Sequence, residues 1–135
     1  RPISGHTEVD LLREGKNKFD ASLSKVIQGS GQITIENNTI INTATSAWSP
    51  VRLKTTVPAG TYTISYESLV PSDNNTNLQI SKNVNGSYVE LLSFRGNTST
   101  NYGTFTIDEE FDIIVSLYSS QANITSSVSK VTSIP

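Results

Sequence analysis

The chain has 135 residues, the length of one domain, and a formal net charge of −2. It holds no cysteine and a single histidine, which excludes a disulfide framework, a thiolate zinc site, a thiol nucleophile and multi-histidine catalysis. The weak acidity argues against general nucleic-acid or anionic-membrane partners, and no apolar run is long enough for a spanning helix.

What fills the composition is uncharged and polar: Ser, Thr and Asn make up 48 of the 135 residues. Nine of the 22 charged residues lie in the first 25, so the N-terminal segment differs in texture from the rest. Residues 1–15 read as a connector or first edge strand over Glu8–Leu12, with the domain proper over 16–135. A short helix candidate spans Asp20–Ile27. From there the apolar period is two. Gln32–Glu36 alternates, and Asn37-Asn38 reads as a two-residue hairpin loop because Asn tolerates positive φ.

In Ala47–Leu53, alternation places Val51 and Leu53 on one face and Trp48 and Arg52 on the other. Two placements of Trp48 stay open: filling a sandwich core, or projecting with Arg52 as a ligand platform. Pro50 would reset the phase if it carried a bulge. Pro58-Ala59-Gly60 breaks the chain before a strand whose Tyr62, Ile64 and Tyr66 share a core face. Pro71–Asn77 and Gly96–Gly103 are longer loops. Asn85-Gly86 is a strong hairpin signal joining Asn77–Val84 to Ser87–Ser93. Phe111, Ile113, Val115 and Leu117 share one face of the last long strand. Eight to ten strands at intervals near ten residues predict an all-β, antiparallel, jelly-roll-like β-sandwich.

Catalytic patterns are thin. His6 is the only imidazole available as a base, and no Gly-x-Ser-x-Gly elbow occurs. The dense acids, Asp108-Glu109-Glu110 and Asp112, read first as a solvated turn; hard oxygen ligands also cluster this way around calcium, though the spacing is not that of an EF-hand. No cofactor is expected. Binding is the better-supported class. An outward Trp48 offers an apolar face to sugar C–H groups, and Arg52 a fork of donors to hydroxyls or phosphate. Tyr88, Arg95 and Tyr102 lie in or beside the Asn85 and Gly96 loops and complete the candidate ligand set.

Arg1-Pro2-Ile3-Ser4-Gly5, followed by Gly15-Lys16-Asn17-Lys18-Phe19-Asp20 and by Val57-Pro58-Ala59-Gly60-Thr61-Tyr62-Thr63-Ile64-Ser65, resembles domains of tail and baseplate proteins from phages and prophages of Gram-positive bacteria. Lys18 departs from the leucine usual there. The resemblance implies a β-sandwich like a carbohydrate-binding module, non-catalytic, attaching a virion to host cell-wall saccharide beside other tail proteins. It also implies that Arg1 is a cut within a longer polypeptide. The alternative is a structural spacer or oligomerisation domain of the tail that binds no sugar, for which Trp48 would be buried.

Overall fold

The computed structural model describes residues 25–29, 32–34 and 38–134. Within them all regular structure is β-strand, in twelve segments. In chain order these are β1 (Lys25–Gln28), β2 (Gln32–Thr34), β3 (Thr39–Asn42), β4 (Val51–Val57), β5 (Gly60–Ser65) and β6 (Ser68–Val70). Then come β7 (Thr76–Val84), β8 (Ser87–Arg95), β9 (Tyr102–Ile107), β10 (Phe111–Ser119), β11 (Ser126–Ser129) and β12 (Thr132–Ile134). Nine span four residues or more, within the expected eight to ten; β2, β6 and β12 span three.

One layer is a five-stranded antiparallel sheet in the order β1-β4-β10-β7-β8. The other strands form β2-β3-β11-β6 and β12-β5-β9. These two sets are halves of one layer. The register that pairs Ser127 with Val70 and Val128 with Leu69 continues without a slip to Thr132 with Ser65 and Ile134 with Thr63. The ladder is broken only where Lys130 turns left-handed at φ 54°. β9 ends at Tyr102, opposite Ser65, so among the described residues β6 has a strand on one side only.

The core lies between the layers and follows the alternation. Val51, Leu53 and Val57 of β4, Leu78 and Ile80 of β7, and Ile113, Val115 and Leu117 of β10 pack from one sheet. Tyr62, Ile64, Phe105, Ile107 and Val128 pack from the other. Tyr66 meets Phe94 edge-on at 5.3 Å between ring centroids. Because successive side chains leave a strand on opposite faces, each of these strands also carries an outer row directed away from this core.

The Asn85-Gly86 turn is as expected, with φ of 54° and 90° between Val84 and Ser87, the geometry of a type I′ hairpin. At β2–β3 the last described pair is Thr34 with Thr39, and residues 35–37 of the expected hairpin lie outside the described residues. Asn38 there is left-handed at φ 52°. The helix candidate is corrected where it is described. Lys25 and Val26 pair with Lys54 and Leu53 as an edge strand, and β-branched Val26 and Ile27 suit that pleated position better than a helix. The 1–15 connector, His6 and the Gly15–Asp20 motif lie outside the described residues.

Candidate functional site

The outer face of the five-stranded sheet collects most of the polar chemistry. Its register sets out rows across the strands. Arg52, Ser116, Gln79 and Ser93 form one; Lys54, Ile114, Ser81 and Glu90 form the next. Ser81, Ser116 and Ile114 are buried at the floor. Alternation puts Ile114 on the outward phase, yet it has no exposed surface at all. Longer side chains reach across: Arg52 Nε donates to Ser116 Oγ at 3.3 Å, and Gln79 Nε2 donates to Glu90 Oε1 at 2.7 Å. Arg52 also lies over the Tyr88 ring, 5.0 Å from its centroid. The two residues stand at diagonal positions of the face, and sheet twist brings such corners together.

At the end of this face stands Trp48. It is 62% exposed, in a turn ahead of β4, at φ 64°. A bulky L-residue in the left-handed region carries a cost of about 1–2 kcal/mol, so the surrounding structure must impose the conformation. The agents are visible. Trp48 N–H donates to Ser119 O at 2.8 Å. Asn42 is 2% exposed, and its amide ties the loop to β10. Its Nδ2 donates to Ser49 O at 2.9 Å and to Leu117 O at 2.8 Å, and its Oδ1 accepts from Ala44 N–H at 2.8 Å. The indole ring sits 5.9 Å from Tyr118, tilted by 41°. Trp48 is thus held outward with one aromatic partner and an open face.

Four of the five expected ligand residues therefore share one face: Trp48, Arg52, Tyr88 and Arg95. Tyr88 and Arg95 stand near opposite ends of β8, and Arg95 Nη1 donates to Asn74 O at 3.1 Å. Tyr102 does not join them. It pairs with Ser65 on the outside of the other layer, 61% exposed. Proximity in sequence to Arg95 misplaced it, because the Gly96–Asn101 loop carries the chain from one layer to the other. Tyr118, Gln79 and Glu90 belong to the face and escaped notice. Tyr118 was legible from phase, since it alternates with the core residues Val115 and Leu117.

At the opposite end, Glu109, Glu110 and Asp112 line an open cleft of about 340 Å³ with Thr56, Asn83 and Asn85. Asp112 is engaged: Thr56 Oγ1 donates to its Oδ1 at 2.5 Å and Lys54 Nζ lies 3.9 Å from its Oδ2. Among the described residues no three His, Asp or Glu side chains are grouped to hold a metal ion.

The architecture is shared with known carbohydrate-binding modules. A low-affinity xylan-binding module of Roseburia intestinalis superposes with a TM-score of 0.54 at 12% identity, covering 87% of this chain and 92% of that one. A family 29 carbohydrate-binding module from Piromyces equi superposes at 0.53 with 15% identity, covering 83% and 80%. At such identities the likeness is one of fold. No family model and no curated sequence matches the chain.

Proposed function

We propose that this domain is a non-catalytic saccharide-binding module whose ligand lies on the outer face of the five-stranded sheet. The observation that carries the reading is Trp48, held outward in a costly backbone conformation by buried Asn42 and backed by Tyr118. Its open face takes the C–H side of a sugar ring. Arg52, Gln79, Glu90 and Arg95 supply donors and acceptors to hydroxyls along the rows behind it. The spacer reading requires Trp48 in the core; its exposure favours binding. Hydrolysis is disfavoured because Asp112 is occupied by Thr56 and Lys54.

The setting we propose is a tail or baseplate protein of a phage or prophage, beside other tail proteins, binding host cell-wall polysaccharide at the surface of a Gram-positive bacterium. Its support is the paired N-terminal motifs and the Val57–Ser65 segment. Single-site affinity is weak, because a shallow polar site exchanges water hydrogen bonds for protein ones nearly one for one. Multiple copies would restore it through avidity. The test is binding of the fluorescently tagged full chain to purified Gram-positive cell walls, with and without their polysaccharide, beside Trp48→Ala. Selective binding that requires the polysaccharide and falls about tenfold in a folded Trp48→Ala, as loss of an aromatic contact of ~1.4 kcal/mol implies, supports the reading. No binding even from a multivalent display sinks it.

A further inference from the structure

We propose a second saccharide site, on the other layer: a cleft at the open edge of β6 that receives a single terminal sugar residue. It rests on the reading above only for the class of ligand. Ser68–Val70 pair with β11 on one side, and among the described residues no strand lies on the other. The Gly96–Asn101 loop folds back over that open side and leaves a cleft of about 310 Å³. An unpaired strand edge exposes backbone N–H and C=O groups, which are strong partners for a polar ligand.

The walls of the cleft are built in advance. Asn101 satisfies both backbone groups of Tyr66: its carbonyl accepts from Tyr66 N–H at 3.1 Å, and its Nδ2 donates to Tyr66 O at 2.8 Å. At the other end Gly96 N–H donates to Thr76 O at 3.0 Å. A side chain at Gly96 would place its Cβ 2.1 Å from Pro71 O, so the loop closes only with glycine there. The facing segment is fixed by Asp73, whose Oδ1 accepts from Asn75 N–H at 3.0 Å, Thr76 N–H at 2.9 Å and the Thr76 hydroxyl at 3.0 Å. A pocket fastened on three sides does not bear the ordering cost of closing around its ligand.

Its lining names the ligand. Ser68, Ser72, Thr98 and Ser99 line the cleft, and none is engaged in a side-chain hydrogen bond among the described residues. The one charged group there among the described residues, Glu67, is paired with Lys130 at 2.9 Å. Both the free groups and the neutrality suit an uncharged polyol. The volume stands at the lower end of the range for small-molecule pockets, about 300–1,000 Å³, which fits one ring and not a chain. Arg95 and Gly96 are consecutive, one on the outer face of the first layer and the other in the cleft. A branched glycan could therefore reach both sites on one domain.

The test is amide chemical-shift mapping of the full chain. The probes are methyl glycosides of glucose, galactose, rhamnose, N-acetylglucosamine and N-acetylgalactosamine at millimolar concentrations. The variants are Ser99→Arg and Ser72→Arg, each filling the cleft from a different wall, and Trp48→Ala. At least one glycoside is expected to give saturable shifts at Ser68, Gly96, Thr98, Ser99 and Asn101. Those shifts should persist in Trp48→Ala and weaken at least about tenfold in whichever cleft variants remain folded. Shifts confined to the surroundings of Trp48 and Arg52 overturn the second site and leave the first standing. Cleft shifts that survive both filled variants overturn it as well. No saturable shift anywhere overturns the second site, and the first stands or falls by the cell-wall assay above.

Discussion

Replacing Asn42 with alanine tests whether this one buried amide holds the Trp48 platform. The substitution removes two donated hydrogen bonds, to Ser49 O and Leu117 O, and one accepted bond, from Ala44 N–H. A protein hydrogen bond contributes roughly 1 kcal/mol net, so three imply a loss of about 3 kcal/mol. At a urea dependence near about 2 kcal/mol/M, the unfolding midpoint should fall by roughly 1.5 M. Trp48 is the only tryptophan, so its fluorescence anisotropy reports the loop directly and should drop in native Asn42→Ala as the ring leaves Tyr118. Asn42→Asp should be no better. It keeps the acceptor for Ala44 but turns a carboxylate oxygen toward two carbonyls. A stability loss under about 1 kcal/mol, with unchanged anisotropy, would refute the assignment of Asn42 as the anchor.

Two glycines should respond for different reasons. Gly96→Ala drives a Cβ into Pro71 O and the Asp73 backbone and should cost about 1–3 kcal/mol by chemical denaturation. Gly86→Ala meets nothing within 4 Å, so its cost should be only about 1 kcal/mol, from φ of 90° alone. Burial raises the phenol pKa of Tyr62 and Tyr66 above the ordinary 10.0. Unfolding therefore releases phenols that ionise more readily. Stability present below pH 10 should be lost as pH rises through the folded values, and Tyr62→Phe should flatten that alkaline limb of a urea-midpoint profile. Burial pushes the Asp73 carboxyl up, but the Thr76 hydroxyl and the Thr76 and Asn75 amides outweigh it and hold the carboxyl below its ordinary value of 3.8. Its contribution is present above that value and lost as pH falls through the folded one, so Asp73→Asn should shallow the acid limb of the same profile.

Much of this molecule is written in short stretches of chain. Which face a residue takes on a strand depends on its neighbours alone, because Cβ directions alternate. That is why Val51 and Leu53 inward with Arg52 outward, the Tyr62–Ile64–Tyr66 core face and the Asn85-Gly86 hairpin could be read before any fold was known. Trp48 sat beyond the reach of that rule. Its exposure follows from a left-handed turn set by Asn42 and Ser119, residues that pairing between distant strands brings beneath it.

Strand order is a long-range property with no local signature. Nothing near Arg52 in the chain announces that β10 and β7 separate it from Tyr88, or that sheet twist closes the gap. Nothing near Tyr102 announces that the Gly96–Asn101 loop has changed layers. Ile114 shows the same limit from the other side, since alternation assigns its face but only the neighbouring strands and the side chains above them determine whether that face is dry. The β6 cleft exists because the pairing with β9 ends at Ser65, opposite Tyr102, while the pairing with β11 runs on to Val70, opposite Ser127. That mismatch of strand ends arises when separate segments pair, and the local sequence does not contain it.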